Sequence, residues 1–491
     1  MQVPNTRTGV KSRPRVAIRE NGQVTGHPIR DELAALIGRE HVLDVPLGSE
    51  YNRDASGRRG LDGRAEAVVL PGSAEEVAAL LGWCYEHDVP LVTRGGGTGL
   101  VGGAVPTPGS VVCSLERLRA VRELEPGLWR MSVEAGLRTR DVQRLARENG
   151  LMFGPDPGAA EQSQIGGNVA TNAGGPHALK YGVTGAWVSG LEVALAPGEL
   201  AAVGGWVRKD VAGYDIKDLM VGSEGTLGVI TAVRLRLLPA PEHAEVLVTF
   251  CASREEGCAA VLALFAAGVR PSALDFLDGE ALAFAGGAYP ASRVVGGAEA
   301  EGGPPSWARF ALVVELDGSA EEVASARGDV LEALGELARE IQEPVEQAAL
   351  WRWRDGINPA VTSVRGAKVS ADVVVPVERL GATLDSFDEI ASRHGLRSCS
   401  WGHAGEGNLH ATVLVDPASE AELDAAEEVM EELYELVAAS GGSIAGEHGV
   451  GLLKRGRLAR QWSPQAVELH ERIKQAFDPK GLLNPGKKLA R

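Results

Sequence analysis

The densest glycine cluster in the chain, Thr93-Arg-Gly-Gly-Gly-Thr-Gly-Leu-Val-Gly-Gly103, most strongly limits what the chain can fold into. Consecutive backbone N–H groups without side chains can wrap closely around phosphate oxygens. Residues 97–102 match the dinucleotide pattern G-x-G-x-x-G, but that pattern must open a helix, and Pro106 and Pro108 exclude a helix here. A P-loop is also excluded, because no Gly-Lys-Ser/Thr sequence ends the cluster. The cluster alone is therefore read either as a surface turn or as a ligand cradle.

Two further glycine-rich segments favour the cradle. The first is Gly154-Pro-Asp-Pro-Gly158 followed by Ile165-Gly-Gly-Asn-Val-Ala-Thr-Asn-Ala-Gly-Gly175, and the second is Gly222-Ser-Glu-Gly-Thr-Leu-Gly228. Glycine lets the backbone itself approach a ligand closely. Three such segments in one region predict a long ligand that lies in a trough formed by loops.

The net charge and the cysteines limit the partners and cofactors that the chain is expected to bind. The 491 residues carry a formal net charge of −17, so binding to nucleic acid or to anionic membranes is not expected. The five cysteines form no Cys-x-x-Cys pair, which argues against a disulfide framework and against an iron–sulfur cluster in this chain. No apolar segment follows the basic N-terminus, and the longest apolar run, residues 257–269, is too short to span a membrane. These features predict a cytoplasmic protein.

The composition and the hydrophobic pattern of the sequence change along the chain. Residues 1–30 are polar and are predicted to form a partly ordered tail. Residues 31–240 alternate short Val/Leu/Ile runs with Gly, Pro and Asn, a pattern typical of strands joined by turns. Pro239-Ala-Pro241 predicts a domain boundary, after which residues 241–450 alternate strands with long amphipathic helices. The second region is therefore predicted to be an α+β layer with helices on one face of a sheet.

Capping residues and periodicity predict individual elements. A helix over 73–86 begins with a Ser N-cap and has Glu at the capping-box position, and a helix over 419–439 ends before Ser440-Gly-Gly442. Residues 319–341 have apolar side chains at helical spacing, which predicts one long helix. Residues 308–317 alternate between apolar and other side chains, which predicts a strand with one buried face.

Two histidines and a glutamate form the second chemical pattern. Trp401-Gly-His-Ala-Gly-Glu-Gly-Asn-Leu-His410 places two histidines across a glycine-rich turn, and Gly446-Glu-His-Gly-Val-Gly451 follows later in the chain. Two histidines and one carboxylate are a common ligand set for a catalytic divalent ion with open positions. Isolated histidines are more often structural or surface groups, so the spacing alone leaves both interpretations open.

Taken together, these motifs resemble a known family. Residues 94–99, Asp156-Pro157, Lys180-Tyr-Gly182 and residues 222–228 are similar to the FAD-binding domain of vanillyl-alcohol-oxidase-type flavoproteins. The C-terminal half resembles the D-2-hydroxyacid dehydrogenase branch, which includes D-lactate dehydrogenase, D-2-hydroxyglutarate dehydrogenase and the glycolate oxidase flavoprotein subunit. The resemblance implies an α+β fold in which a two-lobed FAD-binding domain carries an α+β cap domain built on an antiparallel sheet. It also implies that residues 451–491 return to the FAD-binding domain.

The resemblance implies which residues hold the flavin. Thr98 stands where relatives with covalently attached flavin often have a histidine, so FAD is expected to bind non-covalently. Asn484, in the segment from Phe477 to Lys487, is expected near the flavin. The complete set of expected FAD-binding residues is Arg94, Gly95, Gly96, Gly97, Thr98, Gly99, Asp156, Gly166, Gly167, Asn172, Gly175, Gly228, Ile230 and Asn484.

For the histidine-rich region the resemblance implies a metal-assisted site. His403, His410 and Glu447 are the expected ligands of Zn²⁺ or a similar divalent ion, and His448 is the expected general base. One residue departs from the family pattern, because Glu406 stands where the family has Asp. Its extra methylene is expected to change the turn or the groups around the ligands rather than a metal contact.

An anionic substrate needs a cationic partner. The family has a substrate-binding arginine in a Trp-x-x-Arg segment, and Arg354 in Trp351-Arg-Trp-Arg-Asp355 matches it. The alternative is a solvated arginine that covers the neighbouring tryptophans. Lys368 is a weaker candidate for a second carboxylate contact. Asp372-Val-Val-Val-Pro376 resembles the family's strand beside this site, and a structural role is expected for it.

The implied activity is FAD-dependent oxidation of a D-2-hydroxy acid to the 2-oxo acid, with hydride transfer to flavin N5. Electrons would pass to a quinone, a cytochrome, an electron-transfer flavoprotein or an iron–sulfur subunit. The alternative is the flavoprotein subunit of a multi-subunit glycolate oxidase that works with an iron–sulfur partner. A third class, an FAD-binding scaffold with a decayed site, is disfavoured by the intact histidine and glutamate set. The family also allows a homodimer.

Overall fold

The structure is a computed structural model that describes residues 28–46, 48–297, 300 and 303–489. Residues 1–27 of the predicted polar tail lie outside these described residues, and the first helix begins at Pro28. The described chain is α+β, as expected, with small sheets in its N-terminal half and one large antiparallel sheet in its C-terminal half. The domain limits stay predictions.

The N-terminal half contains two main sheets, with four and five strands, and a separate two-stranded pair. Its strands are β1 (Val42–Leu43), β2 (Ala65–Val69), β3 (Leu91–Arg94), β4 (Ser110–Ser114), β5 (Val121–Glu125), β6 (Arg130–Glu134), β7 (Leu151–Met152), β8 (Val188–Leu195), β9 (Glu199–Gly204), β10 (Val229–Arg236) and β11 (Leu238–Pro239). Its helices are α1 (Pro28–Ile37), α2 (Ala74–Glu86), α3 (Thr139–Glu148), α4 (Ile165–Thr171), α5 (Ala178–Tyr181) and α6 (Ile216–Met220).

The two sheets differ in strand direction. The smaller has the order β1-β2-β4-β3, in which β4 runs parallel to both β2 and β3. The larger has the order β5-β6-β10-β8-β9 and is antiparallel throughout. Between them lies α2, whose start confirms the predicted cap, because the Ser73 hydroxyl accepts a hydrogen bond from the Glu76 N–H. Side chains from both sheets and from α2 form one continuous core.

The C-terminal half, here called the cap, is built on one antiparallel sheet of eight strands in the order β14-β16-β12-β15-β13-β18-β19-β17. The strands are β12 (His243–Cys251), β13 (Ala273–Asp278), β14 (Ser292–Val294), β15 (Phe310–Gly318), β16 (Glu340–Pro344), β17 (Ala367–Val374), β18 (Arg397–His403) and β19 (Asn408–Val415). The helices are α7 (Arg254–Ala266), α8 (Gly279–Ala285), α9 (Ala320–Leu334), α10 (Gln347–Asp355), α11 (Ile357–Arg365), α12 (Leu380–Arg393) and α13 (Glu420–Ala439).

Helices cover both faces of the cap sheet, which corrects the expectation of helices on one face only. One face packs against α7, α9, α12 and α13, and part of the other packs against α8, α10 and α11. Strand β15 is therefore buried on both sides, with Leu312 in one core and Val313 in the other. The part of the second face that these helices leave uncovered carries polar side chains.

The long helix predicted over 319–341 is wrong after Leu334, over its last seven residues. Helix α9 begins after the Ser319 cap, as expected, but ends at Leu334. Gly335 has φ +44°, a left-handed conformation that ends a helix. Ile341 lies in strand β16 instead. The helix predicted over 419–439 is confirmed as α13, with Ser419 as its N-cap.

The end of the described chain lies against the N-terminal half. After α14 (Pro464–Phe477), Leu482 accepts a hydrogen bond from the Leu91 N–H, and the Asn484 N–H donates to the Leu91 carbonyl oxygen. Leu482 and Leu483 belong to the same core as α2. Among the described residues, no helix has both the length and the apolar character needed to cross a bilayer.

Candidate active site

A hairpin of the cap sheet brings the two histidines onto one face. Trp401 pairs with His410 across β18 and β19, and His403 lies two residues beyond Trp401 on the same side of the sheet. The turn between the strands needs glycine at 407, where φ is +67° and a Cβ would lie 1.9 Å from the Val375 carbonyl oxygen. The sharp turn therefore places His403 and His410 beside each other, with ring centroids 5.6 Å apart.

Glu447 completes a compact group of metal-binding side chains. Its Oε1 atom lies 3.6 Å from Nε2 of His403, 3.6 Å from Nε2 of His410 and 3.6 Å from Nε2 of His448. One donor atom each from His403, His410 and Glu447 lies within 4.8 Å of the other two. We call these three residues the ligand cluster. The structure brings them together, and their role as metal ligands stays a prediction.

A buried aspartate connects the ligand cluster to Arg354. Asp275 on β13 accepts a hydrogen bond from His403 Nδ1 at 2.7 Å and another from Arg354 Nε at 2.6 Å. His403 therefore carries its proton on Nδ1, which leaves Nε2 directed at Glu447. Arg354 reaches the site from α10 and is largely buried, so it is not the solvated arginine of the alternative interpretation. Its guanidinium lies beside His403, with one nitrogen 3.5 Å from Nδ1.

The protonation states of the cluster follow from burial and from these contacts. Burial lowers the pKa of His410 to about 3, so this imidazole is neutral and has a free lone pair. Burial also opposes the charged form of His403, but Asp275 and Glu447 outweigh it and raise the pKa to about 10. Burial would raise the pKa of Glu447, yet the three surrounding histidines lower it to about 2. The Glu447 carboxylate and the neutral His410 are donors that a divalent ion prefers, whereas His403 must release its Nε2 proton before that nitrogen can bind an ion.

A second buried aspartate holds the loop that carries Glu447 and His448. Asp372 Oδ2 accepts hydrogen bonds from the backbone N–H groups of residues 446, 447 and 448 at 2.9–3.0 Å. Asp372 Oδ1 accepts one from the Asn408 side chain at 2.8 Å. One donor atom each from Asp372, His410 and His448 also lies within 4.8 Å of the other two. Since the Asp372 oxygens already accept four hydrogen bonds, we interpret this residue as a support for the loop.

The remaining predicted cap residues lie at the edge of the cluster. Lys368 is on the same face of β17 as Asp372, where its ammonium donates to Ser370 Oγ at 2.8 Å and lies 4.7 Å from the Trp401 ring centroid. Glu406 lies in the turn after His403 and is not one of the ligand cluster. Burial raises the pKa of Glu406 to about 7. The substrate role of Lys368 stays a prediction.

The first glycine cluster lines a cavity of about 700 Å³ in the N-terminal half. Arg94, Gly95 and Gly96 contribute to its wall together with three further arginines, Arg117, Arg119 and Arg138. Arg94 is buried and donates to the Arg53 carbonyl oxygen at 2.7 Å. Its guanidinium passes so close to Gly97 that a Cβ there would lie 2.0 Å from it. The wall thus combines four arginines with glycine backbone, which suits a phosphate-containing ligand, but Glu50, Glu116 and Asp141 line the same cavity.

The second glycine segment forms α4 and the loop after it. Gly166 packs against Ala135, where a Cβ would lie 2.6 Å from the Ala135 Cβ, whereas a Cβ on Gly167 would meet nothing within 4 Å. Asn172 ends α4 with φ +53° and accepts a hydrogen bond from the Gly185 N–H. Gly174 lies next to the ligand cluster, because a Cβ there would be 3.1 Å from Glu447 Oε2. The predicted cofactor segment therefore reaches the predicted metal site.

The other predicted FAD-binding residues surround these two segments. Asp156 is bonded to His177 and approaches Gly175. Asn484 has φ +44°, and its side chain donates to the Glu224 carbonyl oxygen at 2.6 Å. Gly228 and Ile230 lie at the start of β10, and Thr98 and Gly99 lie in the loop after β3. Whether each of them contacts FAD stays a prediction.

Sequence reasoning missed the residues that hold the site together. Asp275 lies within a buried strand, and Glu224 lies within a motif whose glycines alone were interpreted as functional. His177 was missed as well. It lies between Asp156 of the N-terminal half and Glu315 of the cap, at 2.5 and 2.7 Å, and both carboxylates outweigh burial and raise its pKa to about 11. A carboxylate inside an otherwise apolar strand is the signal that could have found Asp275.

Comparison with known proteins identifies two family regions. Residues 65–204 match a model described as an FAD binding domain. Residues 240–488 match a model described as the C-terminal domain of FAD linked oxidases. The second match begins at residue 240, residues 205–239 lie between the two matches, and the predicted boundary at Pro239-Ala-Pro241 stays a prediction.

Individual relatives match nearly the whole chain. The glycolate oxidase subunit GlcD of Bacillus subtilis is 33% identical, over 94% of this chain and 97% of that protein. A D-lactate dehydrogenase of Anaerostipes hadrus is 33% identical, over 90% and 94%. A D-2-hydroxyglutarate dehydrogenase of Xanthomonas citri is 35% identical, over 86% and 88%. A solved 4-ethylphenol oxidase from Gulosibacter chungangensis has the same fold, with 19% identity, a TM-score of 0.75 and coverage of 94% and 96%.

Proposed function

The chain belongs to the family of FAD-linked oxidases and is an FAD-dependent oxidoreductase, and from this premise we propose that it oxidises a D-2-hydroxy acid to the 2-oxo acid with the help of a divalent metal ion. The observation that carries the proposal is the convergence of His403, His410 and Glu447 beside a buried Arg354. A site for a 2-hydroxy acid needs a group that binds a carboxylate and a group that activates a neighbouring hydroxyl, and this arrangement offers both.

The residues present fit both groups. For FAD, the cavity beside Arg94 offers four arginines among its lining residues, and Gly167 leaves open space beside exposed backbone. Because Thr98 offers no imidazole for covalent attachment, we propose that FAD binds non-covalently. For the metal, His403, His410 and Glu447 supply two nitrogens and one oxygen, which is a ligand set of catalytic zinc sites.

Each cap residue then has a defined task. Arg354, held by Asp275, binds the substrate carboxylate, and Lys368 provides a second positive charge at the edge of the site. His448 accepts the proton of the substrate hydroxyl, a role that imidazoles often fill in general acid–base catalysis. A divalent ion on the ligand cluster lowers the pKa of that hydroxyl when it is bound. FAD, when bound, supplies the acceptor for the C2 hydride.

Anaerobic bleaching of the flavin absorbance tests this proposal. The purified holoenzyme is mixed with a panel of D- and L-2-hydroxy acids and with glycolate, and the visible flavin band is followed. We expect rapid bleaching by one D-acid, slow or no bleaching by its L-enantiomer, and loss of bleaching after treatment with a chelator. If no hydroxy acid bleaches a flavin-loaded, metal-loaded enzyme, the proposed substrate class is wrong.

A second candidate is the flavoprotein subunit of a glycolate oxidase. It is favoured by the 97% coverage of a relative that is itself named as a subunit. The described chain has five free cysteines, and none of them belongs to a metal-binding group among the described residues, so an iron–sulfur relay would have to come from another protein. Bleaching by glycolate in preference to D-acids, together with turnover that requires a cysteine-rich partner, would favour this candidate. Full turnover of the isolated chain with an artificial acceptor would argue against an obligate partner.

A further inference from the structure

The loop formed by residues 446–451 is bonded to two buried carboxylates through almost every backbone amide. Asp372 accepts from the N–H groups of residues 446, 447 and 448. Glu224 accepts from the other end, with Oε1 3.0 Å from the Val450 nitrogen and Oε2 2.7 Å from the Gly451 nitrogen. This loop carries Glu447 and His448. Five backbone donors on one short loop are thus satisfied by two side chains rather than by secondary structure.

The two carboxylates come from different halves of the molecule. Asp372 lies on β17 of the cap, and Glu224 lies in the turn between α6 and β10 of the N-terminal half. Their side chains are only 2% and 4% exposed. Gly449, between the two bonded ends, has φ +82°, and a Cβ there would lie 3.0 Å from Glu224 Oε1. Loop 446–451 therefore spans the two halves and is bound by both.

Each carboxylate is itself fixed to a predicted binding element. Asp372 accepts the Asn408 side chain, which lies on β19 two residues before His410. The Glu224 N–H donates to the Ala170 carbonyl oxygen of α4 at 2.7 Å. The loop continues onto the first glycine cluster, where the Leu452 N–H donates to the Val101 carbonyl oxygen at 2.8 Å. Asp372 thus belongs to the metal-binding side of the loop and Glu224 to the flavin-binding side.

We propose that Asp372 and Glu224 are positioning residues that hold loop 446–451 between the ligand cluster and the FAD-binding half, and so fix where Glu447 and His448 lie. This inference rests on the proposed function for the roles of those two residues. Glu224 acts on the loop through its backbone amides, and its Oε1 also accepts from Lys488 Nζ at 3.4 Å. Its loss should therefore slow the reaction while substrate affinity, which depends on Arg354, changes little.

Two substitutions remove bonds to the loop. Glu224→Gln keeps one acceptor oxygen but replaces the other with an NH₂ group, which cannot accept from a backbone amide. All three loop bonds of Asp372 end on Oδ2, which an amide oxygen would replace, so Asp372→Ala is used to remove them. Asp278→Asn is the matched control. Asp278 is also a fully buried carboxylate that accepts from two backbone amides, those of Ala281 and Ser400, but it does not contact the loop.

Hydrogen–deuterium exchange on the holoenzyme tests the hydrogen bonds without any turnover. In the unmodified protein, peptides that cover 446–451 should exchange slowly. Glu224→Gln should speed exchange at least tenfold at one of residues 450 and 451, Asp372→Ala should do the same at 446–448, and Asp278→Asn should leave the loop unchanged. Rapid exchange in the unmodified protein, or unchanged exchange in both loop variants, would overturn the proposal.

Kinetics and loading separate positioning from a general structural role. For Glu224→Gln at unchanged FAD and metal content, we expect kcat to fall about tenfold or more and KM to change less than threefold. Asp278→Asn should keep kcat within twofold of the unmodified enzyme even if its unfolding temperature falls. If kcat falls equally in Asp278→Asn, the loss in Glu224→Gln is due to general destabilisation, and the proposal is overturned. If no hydroxy acid reduces the flavin, the proposed function fails, while the exchange experiment still decides the bonding of the loop.

Discussion

The two halves of the molecule prepare their binding sites by opposite means. In the cap, the site is made of side chains: His403, His410, Glu447 and Arg354 are buried or nearly so, and Asp275 bonds two of them directly. In the N-terminal half, the predicted site depends on the absence of side chains, because Gly95 and Gly96 line the cavity beside Arg94 and a Cβ on Gly167 would meet nothing within 4 Å. Under the proposed function, the cap would act on a small group and the N-terminal half would contact a large one.

This difference predicts opposite sensitivities to mutation. Removing a side chain should damage the cap site, because the reactive atoms themselves are lost. Adding a side chain should damage the glycine-lined site, because the space is lost. Four substitutions with matched controls test this contrast, and we order them from the largest expected effect to the smallest.

The first substitution removes the expected base from the cap. For His448→Ala we expect kcat to fall about 10³-fold, the middle of the range for general acid–base catalysis, with FAD content unchanged. Stopped-flow flavin reduction under anaerobic conditions measures this directly. His470→Ala on α14, where the ring stacks on Trp462, is the control and should retain full activity. A normal rate in His448→Ala would show that another group takes the proton.

The second substitution removes a hydrogen-bond partner of His403 and leaves the three expected metal ligands unchanged. Asp275→Asn removes the negative charge that fixes the His403 proton on Nδ1 and orients Arg354. We expect metal affinity to fall about 10–100-fold, measured by metal analysis after dialysis against a graded chelator. The flavin absorbance should persist, because FAD is proposed to bind in the N-terminal half. Metal content equal to that of Asp278→Asn would contradict the role of Asp275.

The third test adds a methyl group on either side of α4. In Gly167→Ala the new Cβ meets nothing within 4 Å, so the apoprotein should be as stable as before or slightly more stable. Its FAD affinity should nevertheless fall about tenfold, or about 1.4 kcal/mol, because the open space is where the cofactor is expected. In Gly166→Ala the Cβ lies 2.6 Å from the Ala135 Cβ, and apoprotein stability should fall by about 1–3 kcal/mol. Equal FAD affinity in Gly167→Ala and the unmodified protein would place the flavin elsewhere.

The fourth substitution addresses the contact between the halves. Because the folded state holds the His177 proton more tightly than the ordinary pKa of 6.5 implies, its contribution to stability is complete below pH 6.5 and declines as the pH rises towards 11. We expect His177→Gln to lower the free energy of unfolding by about 1 kcal/mol at pH 6 and by less at pH 9. Chemical denaturation at both pH values measures the difference. His394→Gln, which removes a histidine between Glu428 and Glu432 within the cap alone, is the control for loss of a paired imidazole. A loss that does not shrink at pH 9 would contradict the linkage.

Local sequence signals predicted the elements that local interactions determine. Ser73 and Ser419 cap their helices as expected, because an N-cap needs only its own next turn. The prediction for 319–341 failed because apolar spacing continued past Gly335, whose left-handed φ ends the helix. The burial of both faces of β15 could not be read from alternation, since the second face is covered by α8, α10 and α11, which are distant in sequence.

In the site, too, sequence predicted the residues that lie close together along the chain and missed those that only the fold brings together. His403 and His410 could be paired from sequence, because one hairpin joins them. The supports of the site, Asp275, Asp372 and Glu224, act across strands and halves that only the folded chain brings together. Motifs therefore pointed to the reactive groups, and tertiary structure was needed to find what holds them.

The hydrogen bonds between β3 and residues 482–484 have a consequence for biosynthesis. Strand β3 is translated before the cap, whereas Leu482 and Asn484 are translated after it. The N-terminal half therefore cannot complete its core while the ribosome is still producing the cap. If FAD binds at the first glycine cluster beside Asn484, as proposed, its loading becomes a step that follows translation of the cap.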